Sequence, residues 1–124
     1  MAQSTLTPTL TLNSLGATSD TLNMSVTDAL LISGNIAEFS RVKVLHTAPT
    51  VLQPASTGTF YLYVKNIGTN SRVVDIQIAD DSVFASLAVG EFCFIPMKTN
   101  VGIELLALVG TEEVEYGYWE KGSA

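Results

Sequence analysis

A chain of 124 residues is one domain's length, and at that size it buries roughly two-thirds of the surface its unfolded form exposes, enough for a core without disulfide or metal staples. Hydrophobic residues make up 47% and charged residues only 15%, below the ~25% of an average domain, so much of the surface is Ser, Thr, Asn or apolar. The net charge is −6, and the six cations (Arg41, Lys43, Lys65, Arg72, Lys98 and Lys121) are scattered without a basic run, which argues against nucleic-acid binding and against an anionic membrane surface.

Residues 1–20 are rich in Ser and Thr and read as an extended N-terminal arm, with residues 21–124 as a single β domain. The arm has no basic region followed by an apolar core, and no run approaches the ~20 apolar residues of a membrane helix. Synthesis in the cytoplasm is therefore expected. Leu6, Leu10 and Leu12 share one parity, so a strand is expected through Thr9–Leu12, with Pro8 at its start. The alternatives are a loose terminus or an arm that docks on a neighbouring subunit.

Leu22, Met24 and Val26 alternate along Thr21–Thr27, and Asp28 breaks the pattern. Ala29–Ile32 is a short apolar run that Ser33-Gly34-Asn35 is expected to end. Ile36–Leu45 suits helix or strand, and Arg41, Val42, Lys43 and Val44 favour a strand with Val42 and Val44 inward. A turn at Thr47–Thr50, Val51-Leu52 and a Gln53–Gly58 loop follow.

The second half is clearer. Phe60, Leu62 and Val64 alternate with Tyr61, Tyr63 and Lys65. A turn of Asn66, Gly68 and Asn70 leads to Val74, Ile76 and Ile78, and Asp80-Asp81-Ser82 turns the chain again. Val83–Leu87, Phe92–Pro96 and Val101–Val109 read as strands, with a turn at Gly110-Thr111-Glu112. The last strand, Val114–Trp119, puts Val114, Tyr116 and Tyr118 on one face and Glu115, Gly117 and Trp119 on the other. About eight short strands at spacings near ten residues, with no helix, predict an all-β fold: an antiparallel β-sandwich, jelly-roll-like.

No reaction centre emerges, so the chain reads as no enzyme, with no cofactor and no metal. His46 is the one histidine and Cys93 the one cysteine. Together they are too few for a zinc site, and no serine sits in a nucleophile-elbow motif. Cys93, between Phe92 and Phe94, reads as a small core hydrophobe. Asp80 and Asp81 suit turn duty and lack the spacing of a calcium loop. Glu112, Glu113, Glu115 and Glu120 crowd the last strand and read as solvated charge. The glycines are isolated, unlike those of phosphate-binding motifs. Tyr61, Tyr63, Tyr116, Tyr118 and Trp119 suit either packing within sheets and subunit contacts or stacking on sugar rings.

Three pieces together carry a resemblance: Tyr61-Leu62-Tyr63-Val64-Lys65-Asn66, then Phe84–Phe92 with its Leu87-Ala88-Val89-Gly90-Glu91-Phe92 segment, then Val114-Glu115-Tyr116-Gly117-Tyr118-Trp119. Over residues 58–120 the chain resembles small virion structural proteins of tailed bacteriophages, notably those of aquatic phages. The resemblance implies a non-enzymatic coat component, in first place a capsid decoration (cement) protein on the outer capsid surface of the virion. Its implied partners are the major capsid protein and further copies of itself, as a homotrimer. The alternative it leaves is a neck, tail or fibre component, including a host-receptor-binding knob. Leu6, Leu10, Leu12, Tyr61, Tyr63, Tyr118 and Trp119 are the expected contact residues.

Overall fold

The computed structural model describes residues 3–14, 22–53, 59–78, 83–97 and 102–122. Among them lie eleven strands and no helix: β1 (Gln3–Leu6), β2 (Thr9–Ser14), β3 (Leu22–Thr27), β4 (Leu30–Leu45), β5 (Thr50–Gln53), β6 (Phe60–Asn66), β7 (Val74–Ile78), β8 (Val83–Leu87), β9 (Phe92–Met97), β10 (Ile103–Ala107) and β11 (Thr111–Lys121). A large sheet runs β1-β4-β11-β6-β9, a small sheet β5-β10-β7-β8, and β2-β3 form a separate ribbon. Every pairing is antiparallel, and the two sheets make the expected β-sandwich. From β4 onward each connection except β7–β8 passes from one sheet to the other.

The core lies between the sheets. Val44, Leu62, Val64 and Val114 enter it from the large sheet, and Val74, Ile76, Leu87, Ile103, Leu105 and Ala107 from the small one. Period-two alternation produces this directly: Phe60, Leu62 and Val64 are buried while Tyr61, Tyr63 and Lys65 are only half-buried. Each fully buried Leu or Val contributes roughly 1.5–3 kcal/mol of transfer free energy. Val42, Cys93, Met97, Tyr116 and Tyr118 pack around this centre, partly buried.

One polar side chain joins the layers. Asn66 ends β6, is fully buried, and accepts from the Gly68 N–H at 3.0 Å while donating to the Arg72 carbonyl at 2.9 Å and the Leu87 carbonyl at 3.0 Å. Its backbone N–H donates to the Glu91 carbonyl at 3.0 Å, and its carbonyl accepts from the Gly90 N–H at 2.8 Å. The expected Asn66–Asn70 turn is thus a crossover between sheets. Residues 88–91 form a tight turn: the Glu91 N–H donates to the Ala88 carbonyl at 2.9 Å, and the Glu91 side chain accepts from the Ala88 N–H at 2.7 Å. Gly90 there has φ +91°, the left-handed conformation a glycine adopts without steric cost.

Two expectations are corrected. Ser33-Gly34-Asn35 does not end a strand: β4 runs unbroken through them for 16 residues. Its first residues pair with β1 and the rest with β11. The turn-forming residues coincide with a register shift instead, since Ala37 faces Trp119 and Ile32 faces Lys121. Glu112 is not solvated charge in a turn. It belongs to β11 and is 1% exposed, for reasons given below. The Asp80-Asp81-Ser82 turn, the loop at 54–58 and Lys98 lie outside the described residues.

Residues on both sides of the expected arm boundary pair with each other. β2 and β3 form a ribbon in register from Thr9 opposite Thr27 to Ser14 opposite Leu22. Before it, β1 adds to the edge of the large sheet.

Candidate contact surfaces

The single His and Cys have structural surroundings. His46 is exposed, and its Nδ1 and backbone N–H both lie 3.0 Å from the Gly110 carbonyl, tying the β4–β5 turn to the β10–β11 turn. Burial pushes the Cys93 thiol pKa up, against a smaller lowering by a hydrogen bond with the Val64 backbone. That favours the unreactive thiol. Among the described residues no group of three or more His, Cys, Asp or Glu is placed to hold a metal ion.

Glu112 has a purely local explanation. The N–H groups of Asn70 and Arg72 donate to its Oε2 at 3.1 and 3.0 Å, and that of Glu113 to its Oε1 at 3.1 Å. Burial raises its pKa, but these donors, with the Thr69 N–H, more than reverse that and leave it lowered. The carboxylate fills the loop after β6 so closely that a Cβ on Gly68 would stand 1.6 Å from its Oε1. Every donor is already in use, so the group is an anchor for the loop.

The first candidate surface is the outer face of the large sheet. Cross-strand register places Gly117 between Phe39 and Tyr63, Trp119 beside Tyr61, and Tyr63, Tyr61 and Lys65 beside Phe94, Pro96 and Phe92. Phe39, Tyr61, Tyr63, Phe92, Phe94 and Trp119 therefore share one face. Gly117 makes their approach possible: a Cβ there would meet the Trp119 ring at 2.6 Å and the Phe39 ring at 3.0 Å. Phe39 and Tyr63 stack across the glycine strand with centroids 6.2 Å apart, and Tyr61 stacks with Phe94 at 5.8 Å.

Charge is set into this aromatic face. Glu115 accepts from the Tyr63 hydroxyl at 2.9 Å and from Arg41 at 3.4 Å. Desolvation, the hydrogen bond to Glu115 and that carboxylate's charge push the Tyr63 pKa up to about 12. The Lys121 ammonium sits 5.1 Å from the centre of the Tyr61 ring, a cation–π contact.

The second candidate surface is the ribbon and the edge beside it. Leu10 faces Val26 and Leu12 faces Met24, so one side of the ribbon is apolar. These four remain 37–53% exposed, although a two-stranded ribbon needs a packed face to be stable. The other side is polar, with Thr9 and Thr27 hydroxyls 3.0 Å apart. A cleft of about 570 Å³ lies between the ribbon and β9, lined by Leu10, Leu12, Val26, Leu30, Phe92 and Phe94 among others. β9 is also one of the two edge strands of the large sheet, β1 being the other.

The expected contact residues thus divide. Leu10 and Leu12 line the cleft, and Leu6 is half-buried on β1. Tyr61, Tyr63 and Trp119 form part of the aromatic face. Tyr118 stands on the opposite, core-facing side, stacked on Tyr116 and edge-on to Phe60 at 5.9 Å. Phe39, Arg41, Phe94 and Lys121 were not singled out from sequence. The alternation around Arg41 and the glycine in Tyr116-Gly117-Tyr118-Trp119 were their available signals. No protein-family model matches the chain, and no curated protein matches it.

Proposed function

We propose that this protein is a non-enzymatic coat component of a tailed-phage virion, a decoration protein that binds the outer surface of the major capsid protein shell and stabilises the head. The observation that carries the reading is the ribbon's half-exposed apolar side, which opens on a cleft beside an unpaired sheet edge. Such a surface is suited to burial against another protein. The capsid shell is the occupant, and the resemblance of residues 58–120 to phage coat proteins supplies that identity. In a homotrimer, three such surfaces engage the shell together and multiply weak contacts into avidity. The acidic net charge of −6 suits a position away from packaged DNA.

The test is to mix the purified protein with expanded heads that lack it. Saturable binding to heads, lost in a Leu10→Ser/Leu12→Ser variant that stays folded, is expected. Binding to tails alone would place the protein in the neck, tail or fibre instead, and no binding to either would end the reading.

A further inference from the structure

The two outer faces of the sandwich differ in charge. Strands β5, β7, β8 and β10 contain no Lys or Arg, while Asp75 and Glu104 are cross-strand neighbours of residues on the small sheet's outer side. The outer face of the large sheet holds Arg41, Lys43, Lys65 and Lys121, four of the six cations in a chain of net charge −6. Among the described residues, Glu113 and Glu115 oppose them there. Cations scattered in sequence are therefore gathered on one face, together with six of the ten aromatic residues.

We propose that this face binds a polysaccharide bearing carboxylate groups, with sugar rings laid on the aromatic cluster over Gly117 and carboxylates paired with Arg41, Lys65 and Lys121. The chemistry fits on three counts. The C–H face of a pyranose ring is apolar and slightly positive, and it packs on electron-rich aromatic rings. The cations complement carboxylates spaced along a chain, and Arg41, although paired with Glu115 at 3.4 Å, has a side chain 66% exposed that can present its other N–H donors to one. Glu115, held by Tyr63 and Arg41, retains lone pairs that accept sugar hydroxyls.

The same details disfavour other occupants. Glu113 and Glu115 call for hydrogen-bond donors, which the hydroxyls of a sugar ring supply and the backbone of single-stranded DNA does not, so of two polyanions the polysaccharide is the better matched. A protein partner is less suited, because lysines are depleted from buried interface centres, and here Lys121 stands on Tyr61 inside the patch. The site adjoins the ribbon cleft that carries the docking reading and shares Phe92 and Phe94 with it, whereas Arg41, Lys65, Lys121 and Trp119 do not line that cleft.

The experiment titrates the full-length protein with polygalacturonate, with fully methyl-esterified polygalacturonate and with oligothymidylate, reading heat and the emission of Trp119. Polygalacturonate should bind, with a change in Trp119 emission and weakening as salt rises. Esterification, Arg41→Gln/Lys65→Gln and Trp119→Ala should each weaken binding about tenfold or more, while Leu10→Ser leaves it unchanged. Should Trp119→Ala fail to fold, the Arg41→Gln/Lys65→Gln protein, whose changes lie on the surface, decides. The proposal is overturned if folded wild-type protein shows no saturable binding of polygalacturonate, if that double variant or esterification leaves affinity unaltered, or if oligothymidylate binds as tightly. Loss of shell binding in Leu10→Ser with polysaccharide binding intact, or the reverse in Arg41→Gln/Lys65→Gln, separates this proposal from the docking reading.

Discussion

Buried Asn66 and Glu112 hold the loop from 67 to 73, and both act through backbone partners rather than through chemistry on a substrate. Asn66→Ala strips donors from two carbonyls and should cost about 2–4 kcal/mol in urea unfolding. Gly68→Ala, whose new methyl falls on the Glu112 carboxylate, should cost about 3 kcal/mol by the same measurement. Glu112 also sets a pH dependence. Its folded pKa is lowered from 4.5, so its contribution is present above that value and is lost as pH falls through the folded one. Glu112→Gln should lower stability at pH 7 and flatten that acid-side loss in unfolding curves. Tyr63 has the opposite sign: its pKa is raised from 10.0 to about 12, so its contribution is present below 10 and is lost as pH rises toward 12. Ultraviolet titration should show a tyrosine ionising near pH 12, and Tyr63→Phe should remove that step.

At the scale of elements, the ribbon is separable from the sandwich. The core cluster is drawn from Val44 onward, and the described side chains of β1–β3 contribute none to it. A chain beginning at residue 28 should therefore keep its near-ultraviolet circular dichroism and unfold cooperatively, with a melting temperature lowered by several degrees, as expected for a loss of about 1–2 kcal/mol. Collapse of the fold on this truncation would show the ribbon to be part of the cooperative unit. The sequence made β6, β7 and β11 legible because period-two alternation records a buried face, and β10 legible as a nearly continuous apolar run. β4 was legible only in its second half. Nothing local in Ser33-Gly34-Asn35 distinguishes a turn from a bulge, and it is pairing with distant β1 and β11 that settles the matter. The burial of Glu112 was illegible for a similar reason, since its donors Asn70 and Arg72 lie 42 and 40 residues away and only that of Glu113 is local. Of the aromatic face, Tyr61, Tyr63 and Trp119 could be picked from sequence. Their separation from Tyr118 follows from strand parity, but their company with Phe39 and Phe94 depends on strand order.

For the whole molecule, the arrangement is a β-sandwich with two differently built, adjoining surfaces. One is an apolar cleft at the ribbon, suited to burial against a protein shell. The other is a cationic aromatic face, set in an otherwise acidic chain. A decoration role gives the first a partner and leaves the second available on the same copy. The most direct measurement of this role is the copy number and radial position of the chain in intact particles, by quantitative protein composition together with cryo-electron microscopy of heads. The account predicts many copies at the outer radius of the head, with the ribbon against the shell. A chain present in a dozen copies or fewer, or confined to neck or tail, would contradict it.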